Sequence, residues 1–410
     1  MDQIDDRVAG LDVHRDMVVA CVRLGAGRGA KVRKAKFSTT TAGLGELAGW
    51  LADFGVTTVA MESTGVYWKP VYYALEDLFE RVWVVNAHHV HNVPGRKTDL
   101  SDAEWLADVI AHGMVRPSLV PPPPVRELRE LTRYRKTQIA VRAQEIQRLE
   151  KVLQDAGIKI TSVASKVLGR STRAMIEALI SGERDPAVLA DMALTRMRPK
   201  RDQLQEALSG RFGAHHSVVA RQILDHIDFL DRSIDTLNEE VLTRLGPFDE
   251  AVSLLMTIPG VGRATAEAFV AETGADMSRF PTAAHLAAWA GVAPASHESA
   301  GKRRPAGTRH GAPWLRQALI EASHAAARSK GTYLASQYRA IAARRGPNKA
   351  AVAVAHSMIV SAWHMLTNHT PYNDLGADYL ASRRNPETES RRLLRRLENL
   401  GYKVTITPAA

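Results

Sequence analysis

Val8-Ala9-Gly10-Leu11-Asp12-Val13 is an apolar run ending at a carboxylate, and the polar turn His14-Arg15-Asp16 joins it to a second run, Met17-Val18-Val19-Ala20-Cys21-Val22. Two short apolar runs separated by a polar turn read as a β-hairpin. Beyond it, Lys31 to Phe37 reads as a third strand, Ala42 to Phe54 as a helix, Thr57-Thr58-Val59-Ala60-Met61-Glu62 as a fourth strand and Arg81 to Ala87 as a fifth. Ser63-Thr64-Gly65 turns the chain into a helix starting near Val66. Strands alternating with helices make residues 5–116 an α/β layered domain.

Asp12 and Glu62 therefore each lie at a strand end. A second acidic pair lies in Lys97-Thr98-Asp99-Leu100-Ser101-Asp102-Ala103-Glu104, where a spacing of three at a helix start puts Asp99 and Asp102 on one face. Taken singly, Asp99 reads as an N-cap with Asp102 in the first turn, and Asp12 as an ordinary strand-end acid. Together, in this order and setting, the four suit a divalent-metal nuclease of the ribonuclease-H type. Magnesium takes oxygen ligands in near-octahedral geometry, and a two-metal phosphoryl-transfer site needs several carboxylates. The expectation is an enzyme that cuts nucleic acid with Mg²⁺ or Mn²⁺ held by Asp12, Glu62, Asp99 and Asp102.

The 410 residues allow two or three domains, each with its own core. Lys plus Arg outnumber Asp plus Glu by 54 to 44, a formal charge of +10 with pI near 9.7, which suits a polyanionic partner such as DNA or RNA. The single cysteine, Cys21, excludes intramolecular disulfides and zinc sites built on several thiolates; it reads as strand core, and a reducing cytosol is expected. The acidic stretch from Met1 to Arg7 lacks the basic and apolar regions of a secretory signal. The apolar stretch from Ala350 to Leu366 is interrupted by His356, Ser357 and His364 and reads as a buried helix, so no membrane partner is expected.

Pro117 and then Pro121 to Pro124 read as an extended spacer that is not helical, marking a domain boundary. Residues 125–245 follow as a helical region. Ile139, Ile146, Leu149 and Leu153 run along one side of its first helix, and Ile223, Ile227, Leu230, Ile234, Leu237 and Val241 alternate spacings of four and three as in a coiled-coil stripe. An antiparallel arm, a dimer contact or packing on the globular core would each use such a seam. Residues 165–216 read as shorter helices without assigned chemistry.

Residues 248–370 form an Ala-rich, mainly α-helical domain. In Thr257-Ile258-Pro259-Gly260-Val261-Gly262-Arg263-Ala264 a glycine turn lies between two apolar helical runs, as in a helix-hairpin-helix, where backbone amides approach a phosphate. A plain helix–helix turn is the alternative. Gly260, Gly262 and Arg263 are candidate nucleic-acid contacts. Ala290 to Arg304 reads as a polar, basic loop, with Arg309 and His310 extending its charge before a helix at Pro313. Lys302, Arg303, Arg304 and Arg309 are candidate phosphate contacts there. Ser299, beside a flexible Ala-Gly and these cations, is a candidate nucleophile toward a phosphodiester, although a loop serine is more often a turn residue. Arg96 and Lys97, just before Asp99, suit phosphate binding in the active-site cleft. His88, His89 and His91 lack zinc-like partners and read as a polar loop near nucleic acid. Tyr67 and Trp68 either stack on a base or pack their helix.

Jointly, these residues resemble the DEDD transposases of the insertion-sequence-110 family, the bridge-RNA-guided recombinases. The resemblance covers nearly the whole chain. It rests on Gly10-Leu11-Asp12-Val13-His14, on Glu62-Ser63-Thr64-Gly65-Val66-Tyr67-Trp68, on Gly95-Arg96-Lys97-Thr98-Asp99-Leu100-Ser101-Asp102-Ala103, on Ile258-Pro259-Gly260-Val261-Gly262, and on the loop from Gly291 to Gly301. It implies a RuvC-like, ribonuclease-H-fold N-terminal domain, a coiled-coil dimerisation region, a C-terminal transposase domain with the second half of the active site, and a tail over residues 371–410. It also implies that the acids bind magnesium and that Ser299 forms a covalent phosphoserine intermediate. Where the family often has His-Ser-Ser-Gly-Gly, this chain has His297-Glu298-Ser299-Ala300-Gly301. Implied partners are element-end and target DNA, a structured noncoding guide RNA, and further copies of the chain as a dimer or tetramer with composite sites. The implied location is the bacterial cytoplasm, at the nucleoid. A structure-selective endonuclease of the Holliday-junction type, using metal-activated water, and a non-catalytic nucleic-acid-binding scaffold are the competing readings.

Overall fold

The computed structural model describes residues 5–25, 29–63, 65–86, 90, 102–295, 297–299, 301–304, 307–308, 310–383 and 386–405. Asp99, Arg96, Lys97, Arg309, His88, His89 and His91 lie outside the described residues. The chain divides into two compact units, residues 1–120 and 121–410.

In the first unit, β1 (Arg7–Val13), β2 (Met17–Leu24), β3 (Lys31–Ser38), β4 (Thr58–Glu62) and β5 (Arg81–Val85) form one sheet in the order β3-β2-β1-β4-β5. β1, β2 and β3 are an antiparallel meander, whereas β4 and β5 add to the other side of β1 in parallel. That mixed order fits a ribonuclease-H-like domain. Side chains alternate across the sheet, so Ala9 and Leu11 of β1 face one layer while Val8 and Gly10 face the other. The first layer is α1 (Thr41–Asp53) and α2 (Trp68–Leu75), which bury Leu47, Leu51 and Leu75 with Leu11 and Met61. The second is α3 (Asp102–Ala111), whose Leu106 and Ile110 pack with Val8, Ala60 and Val85. Trp68 packs against the first core and meets Tyr72 edge-on at 5.9 Å, while Tyr67 stays 45% exposed. Cys21 is fully buried, and burial pushes its thiol up to about 12, so it is inert strand core.

The second unit opens on α4 (Pro123–Asp155). The expected non-helical spacer over Pro121 to Pro124 is therefore too long by two residues. Pro123 and Pro124 are the first residues of the helix, where a missing N–H has no intrahelical partner to lose and the fixed φ suits the helix. Short helices α5 (Ile160–Val163), α6 (Arg170–Ile180), α7 (Pro186–Asp191) and α8 (Arg201–Ala207) follow, and α9 (Ala214–Leu245) returns along α4. The pairs Glu127–Arg244, Arg142–Asp231 and Asp155–His216 run in opposite sequence order, so α4 and α9 are antiparallel. Ile223, Ile227, Leu230 and Val241 of the seam are buried, and Ile234 and Leu237 half-buried. Ile139, expected on the packed side of α4, is instead 43% exposed. At the far end of the arm, α5 to α8 wrap a separate core that includes Leu149, Leu153, Met175, Ile176, Leu204 and Phe212.

The remainder is α10 (Asp249–Met256), α11 (Arg263–Thr273), α12 (Ala283–Trp289), β6 (His297–Ser299), β7 (Lys302–Arg304), α13 (Pro313–Ala326), α14 (Tyr333–Arg345), α15 (Pro347–Asn368), α16 (Tyr379–Ser382) and α17 (Pro386–Asn399). α15 is long and apolar enough to cross a membrane by composition. Here, however, it packs against α12, α13 and α14 and buries Val354, Met358 and Ile359. Residues 400–405, after α17, have no strand pairing among the described residues.

The base of the arm is tied to α11 by arginines. Glu272, nearly fully buried, accepts from Arg133 Nε at 2.7 Å and Arg133 Nη2 at 2.8 Å, and Arg129 Nε lies 3.6 Å away. Glu267, also buried, accepts from Arg135 at 2.6 Å and Arg263 at 2.9 Å. A buried carboxylate is tolerated only with such partners, and removing it leaves cations facing each other. Glu272→Ala is expected to lower stability by about 2–3 kcal/mol, below the range for a fully buried pair because solvent reaches Arg133. Urea unfolding at unchanged slope would measure this, and a loss under about 0.5 kcal/mol would show that solvation of the arginines offsets the pair.

Candidate active site

The acid corner follows from strand register. β1 and β4 run in parallel with Leu11 opposite Met61, so the next residues, Asp12 and Glu62, lie side by side on strands about 4.8 Å apart. They share the parity of Gly10 and Ala60, which face α3. α3 runs against β1, since Asp5 N–H donates to Ala111 O at its far end, and Asp102 opens the helix at the near end. The backbone thus carries three of the four expected acids to one corner of the sheet, at the C-terminal ends of two parallel strands. The fourth, Asp99, is outside the described residues.

Gly10 is what lets α3 lie this close. A Cβ there would sit 2.2 Å from Ala103 O and 2.6 Å from Ala107 N. The other acids of α3 are held by the sheet: Lys34 pairs with Glu104 at 2.5 Å, and Arg23 with Asp108 at 3.3 Å. Asp5, unremarkable in the sequence, is a latch at the opposite end of the strands, accepting from Thr58 Oγ1 at 2.5 Å and Arg81 at 2.7 Å. His14, to which the sequence assigned no role of its own, brings Nε2 to 3.2 Å from Asp12 Oδ2. Its proximity to an acid two residues away on the same hairpin was the available signal. Register and helix start bring these carboxylates to neighbouring backbone positions, and a carboxylate oxygen is the donor that a divalent cation takes, but among the described residues their ligand atoms do not gather within 4.8 Å of one another as those of Asp155, His215 and His216 do.

In the second unit, the segment expected to be a basic loop is a short hairpin. Its register pairs His297 with Arg304, Glu298 with Arg303 and Ser299 with Lys302. Gly301 supplies the positive φ, +72°, that a tight hairpin turn requires. A Pro294–Thr308 bridge and an Ala295 N–H to Gly307 O bond at 3.1 Å extend the pairing. Backbone geometry thus sets Ser299 beside the turn and opposite Lys302, which is exposed.

Gly260 and Gly262, grouped by sequence, have different settings. Gly260 has φ +89°, and a Cβ would lie 2.4 Å from Ala326 N and 2.5 Å from Ala322 O of α13. Gly262 caps α11 and faces open space, and Arg263 bonds Glu267 while remaining 46% exposed. Gly260→Ala is expected to lower the melting temperature by at least about 5 °C, whereas Gly262→Ala changes it by under about 2 °C. Thermal unfolding of both proteins checks this; equal shifts would mean that α13 yields to the added methyl.

One acidic–histidine group arises that sequence reading passed over. Possible ligand atoms of Asp155, His215 and His216 lie within 4.8 Å of one another. His216 Nδ1 accepts from Gly213 N–H at 3.0 Å, so its Nε2 carries the hydrogen, directed at Asp155 at 2.9 Å. That bond holds the Asp155 carboxyl below the usual range. The tautomer is wrong for a metal at Nε2, and the pair reads as a cap joining α4 to α9.

The family model for the DEDD transposase domain of IS110 elements matches residues 9–158, and the model for the transposase of the IS116/IS110/IS902 family matches residues 252–339. The transposase for insertion sequence element IS1111A of Coxiella burnetii is 24% identical over 378 residues, covering 90% of this chain and 92% of the relative. Among solved structures, T. thermophilus RuvC in complex with a Holliday junction substrate matches 28% of this chain and 100% of that chain, at 16% identity. Its TM-score of 0.21 is too low to add to the strand order. The class is therefore a transposase, a DNA-processing enzyme. Within that class, the chain belongs to the IS110 family of DEDD transposases.

Proposed function

We propose that this transposase excises and inserts its mobile element by divalent-metal-dependent strand cleavage and exchange through a covalent bond to Ser299. The carrying observation is the register that sets Asp12 and Glu62 side by side with Asp102 at the head of the helix on the same face. Asp12, Glu62 and Asp102, joined by Asp99, would hold Mg²⁺ or Mn²⁺, which supplies charge neutralisation at the phosphate oxygens. Ser299 Oγ attacks phosphorus as its proton leaves to a base. The Oγ–P bond forms, the P–O bond to the departing strand breaks, and that oxygen gains a proton. Attack by the hydroxyl of the new strand reverses these changes and frees Ser299, so one phosphodiester is exchanged for another without an external energy source. Lys302, Arg303, Arg304 and Arg309 would stabilise charge on the phosphate, with Arg96 and Lys97 holding substrate near the acids.

A net charge of +10 supports polyanionic partners. The reading includes element-end and target DNA, with a noncoding guide RNA pairing to both, so that protein contacts are to backbone and shape. Gly260, Gly262 and Arg263 would contribute backbone contacts of the helix-hairpin-helix kind. A dimer or tetramer through the coiled-coil region would join acid corner and serine hairpin in composite sites, in the bacterial cytoplasm at the nucleoid.

The test is a denaturing gel for a protein–DNA adduct on a labelled element junction, with Mg²⁺ and RNA transcribed from the element's flanks. An adduct from the wild-type protein, absent in Ser299→Ala and on chelation of metal, is the expected result. Cleavage that persists in Ser299→Ala without any adduct would replace the serine step with metal-activated water.

A further inference from the structure

The α5–α8 cluster at the far end of the arm, which the sequence left without chemistry, contains a cleft of about 630 Å³. Its lining includes Lys166, Arg170 and Arg198 together with Ser165 and Thr195, and no Asp or Glu. None of the three cations has an ion-pair or side-chain hydrogen-bond partner among the described residues. By contrast, Arg142, Arg173 and Arg201, which do not line the cleft, are each paired with a carboxylate. Like charges gathered around one concavity repel each other and focus a positive potential into it.

The cleft is held open by cross-links that do not use these cations. Leu194 N–H donates to Ser171 Oγ at 2.9 Å, tying the wall that carries Arg198 to the wall that carries Arg170. Lys200 Nζ donates to Val163 O at 3.0 Å, a second tie across the same cluster. Thr172 Oγ1 donates to Lys166 O at 3.1 Å and so anchors the backbone from which Lys166 projects. The cationic ends are exposed while their backbones are fixed. Preformed walls with free cationic ends suit an extended anion, because binding then orders side chains and not backbone.

We infer that this cleft is a binding site for the phosphodiester backbone of a nucleic acid, gripped by Lys166, Arg170 and Arg198 away from both the acid corner and the serine hairpin in sequence. The inference rests on the reading of the chain as a nucleic-acid enzyme. DNA and RNA present the same phosphate chemistry, and the experiment separates them.

The test uses the full chain and measures affinity for duplex DNA, single-stranded DNA and structured RNA over a range of salt. Lys166→Gln/Arg170→Gln/Arg198→Gln is compared with Arg344→Gln/Arg345→Gln/Lys349→Gln, which removes the same charge from exposed positions elsewhere. The cleft triple should bind at least about 10-fold more weakly at moderate salt. The slope of log affinity against log salt should be shallower by ~0.9 for each phosphate no longer neutralised on a duplex, or ~0.7 on a single strand. The control triple should do neither. A defect confined to RNA or to DNA supports the inference and names the strand. Ser165→Glu, an exposed change that adds a negative charge and leaves the cations in place, should weaken the same ligand. Equal behaviour of the two triples on all three ligands overturns the inference, as does protection of the cleft by inorganic phosphate alone without any effect on nucleic-acid affinity. Wild-type protein that binds no nucleic acid at all would instead overturn the functional reading on which the inference rests.

Discussion

Asp12→Asn is expected to reduce metal-dependent strand cleavage by about 100-fold or more while the protein stays folded. The amide is nearly isosteric with the carboxylate, and Asp12 lies at a strand end, about a third exposed, so little packing changes. What is lost is an anionic oxygen next to Glu62. Glu62→Gln and Asp102→Asn should behave alike, since each removes one charge from the same corner, and effects of groups acting on one ion need not add. Cleavage of a labelled junction is the readout, with circular dichroism to confirm folding and a Mn²⁺ titration to detect weakened metal binding. If Asp12→Asn cuts and exchanges strands at the wild-type rate, the acids are structural and the cleavage chemistry rests on other residues of the chain.

Gly10→Ala is the substitution expected to cost most stability. The added Cβ would fall 2.2 Å from the Ala103 carbonyl oxygen and 2.6 Å from the Ala107 nitrogen, and both are helix backbone that no rotamer change can move. α3 must lift from β1, separating Leu106 and Ile110 from Val8 and Ala60. A loss of about 3 kcal/mol or more is expected by equilibrium unfolding. Because Ala103 adjoins Asp102, cleavage should fall as well, even in the fraction that remains folded. Gly45→Ala is the control: it lies exposed in α1 with nothing within 4 Å of its Cβ, so it should leave stability unchanged or raise it by up to about 1 kcal/mol. A Gly10→Ala protein as stable as wild type would mean that α3 can ride higher on the sheet than its packing on β1 implies.

Much of the first unit was legible in the chain. Short apolar runs bounded by turn residues mark strands, and a carboxylate closing such a run marks a strand end, so Asp12 and Glu62 stood out before any pairing was known. Asp102 stood out through its spacing from Asp99 at a helix start. Less legible were features set by the partner of a segment and not by its own pattern. The hairpin around Ser299 contains too few apolar residues to signal strands, and its pairing depends on Gly301 and on the bridge between Pro294 and Thr308. The start of α4 at Pro123 defied the usual reading of prolines because position within the helix, not composition, decides their effect. The cationic cleft was invisible because Lys166 and Arg198 lie far apart along the chain, and only the packing of α5 to α8 gives them a common wall.

Local sequence by itself determined the strands, the long helices and the kind of acid each carries, since period, turn residues and side-chain chemistry are properties of a short stretch. Only the tertiary structure decided which acids meet. Glu104 and Asp108, on the same helix as Asp102, are taken by Lys34 and Arg23 of the sheet, while Asp12 and Glu62 become neighbours through the parallel register of β1 and β4. Register and pairing are set by non-local packing, here by a glycine at position 10 that lets a helix approach the strand backbone closely, and that distance is written in no single stretch of the chain.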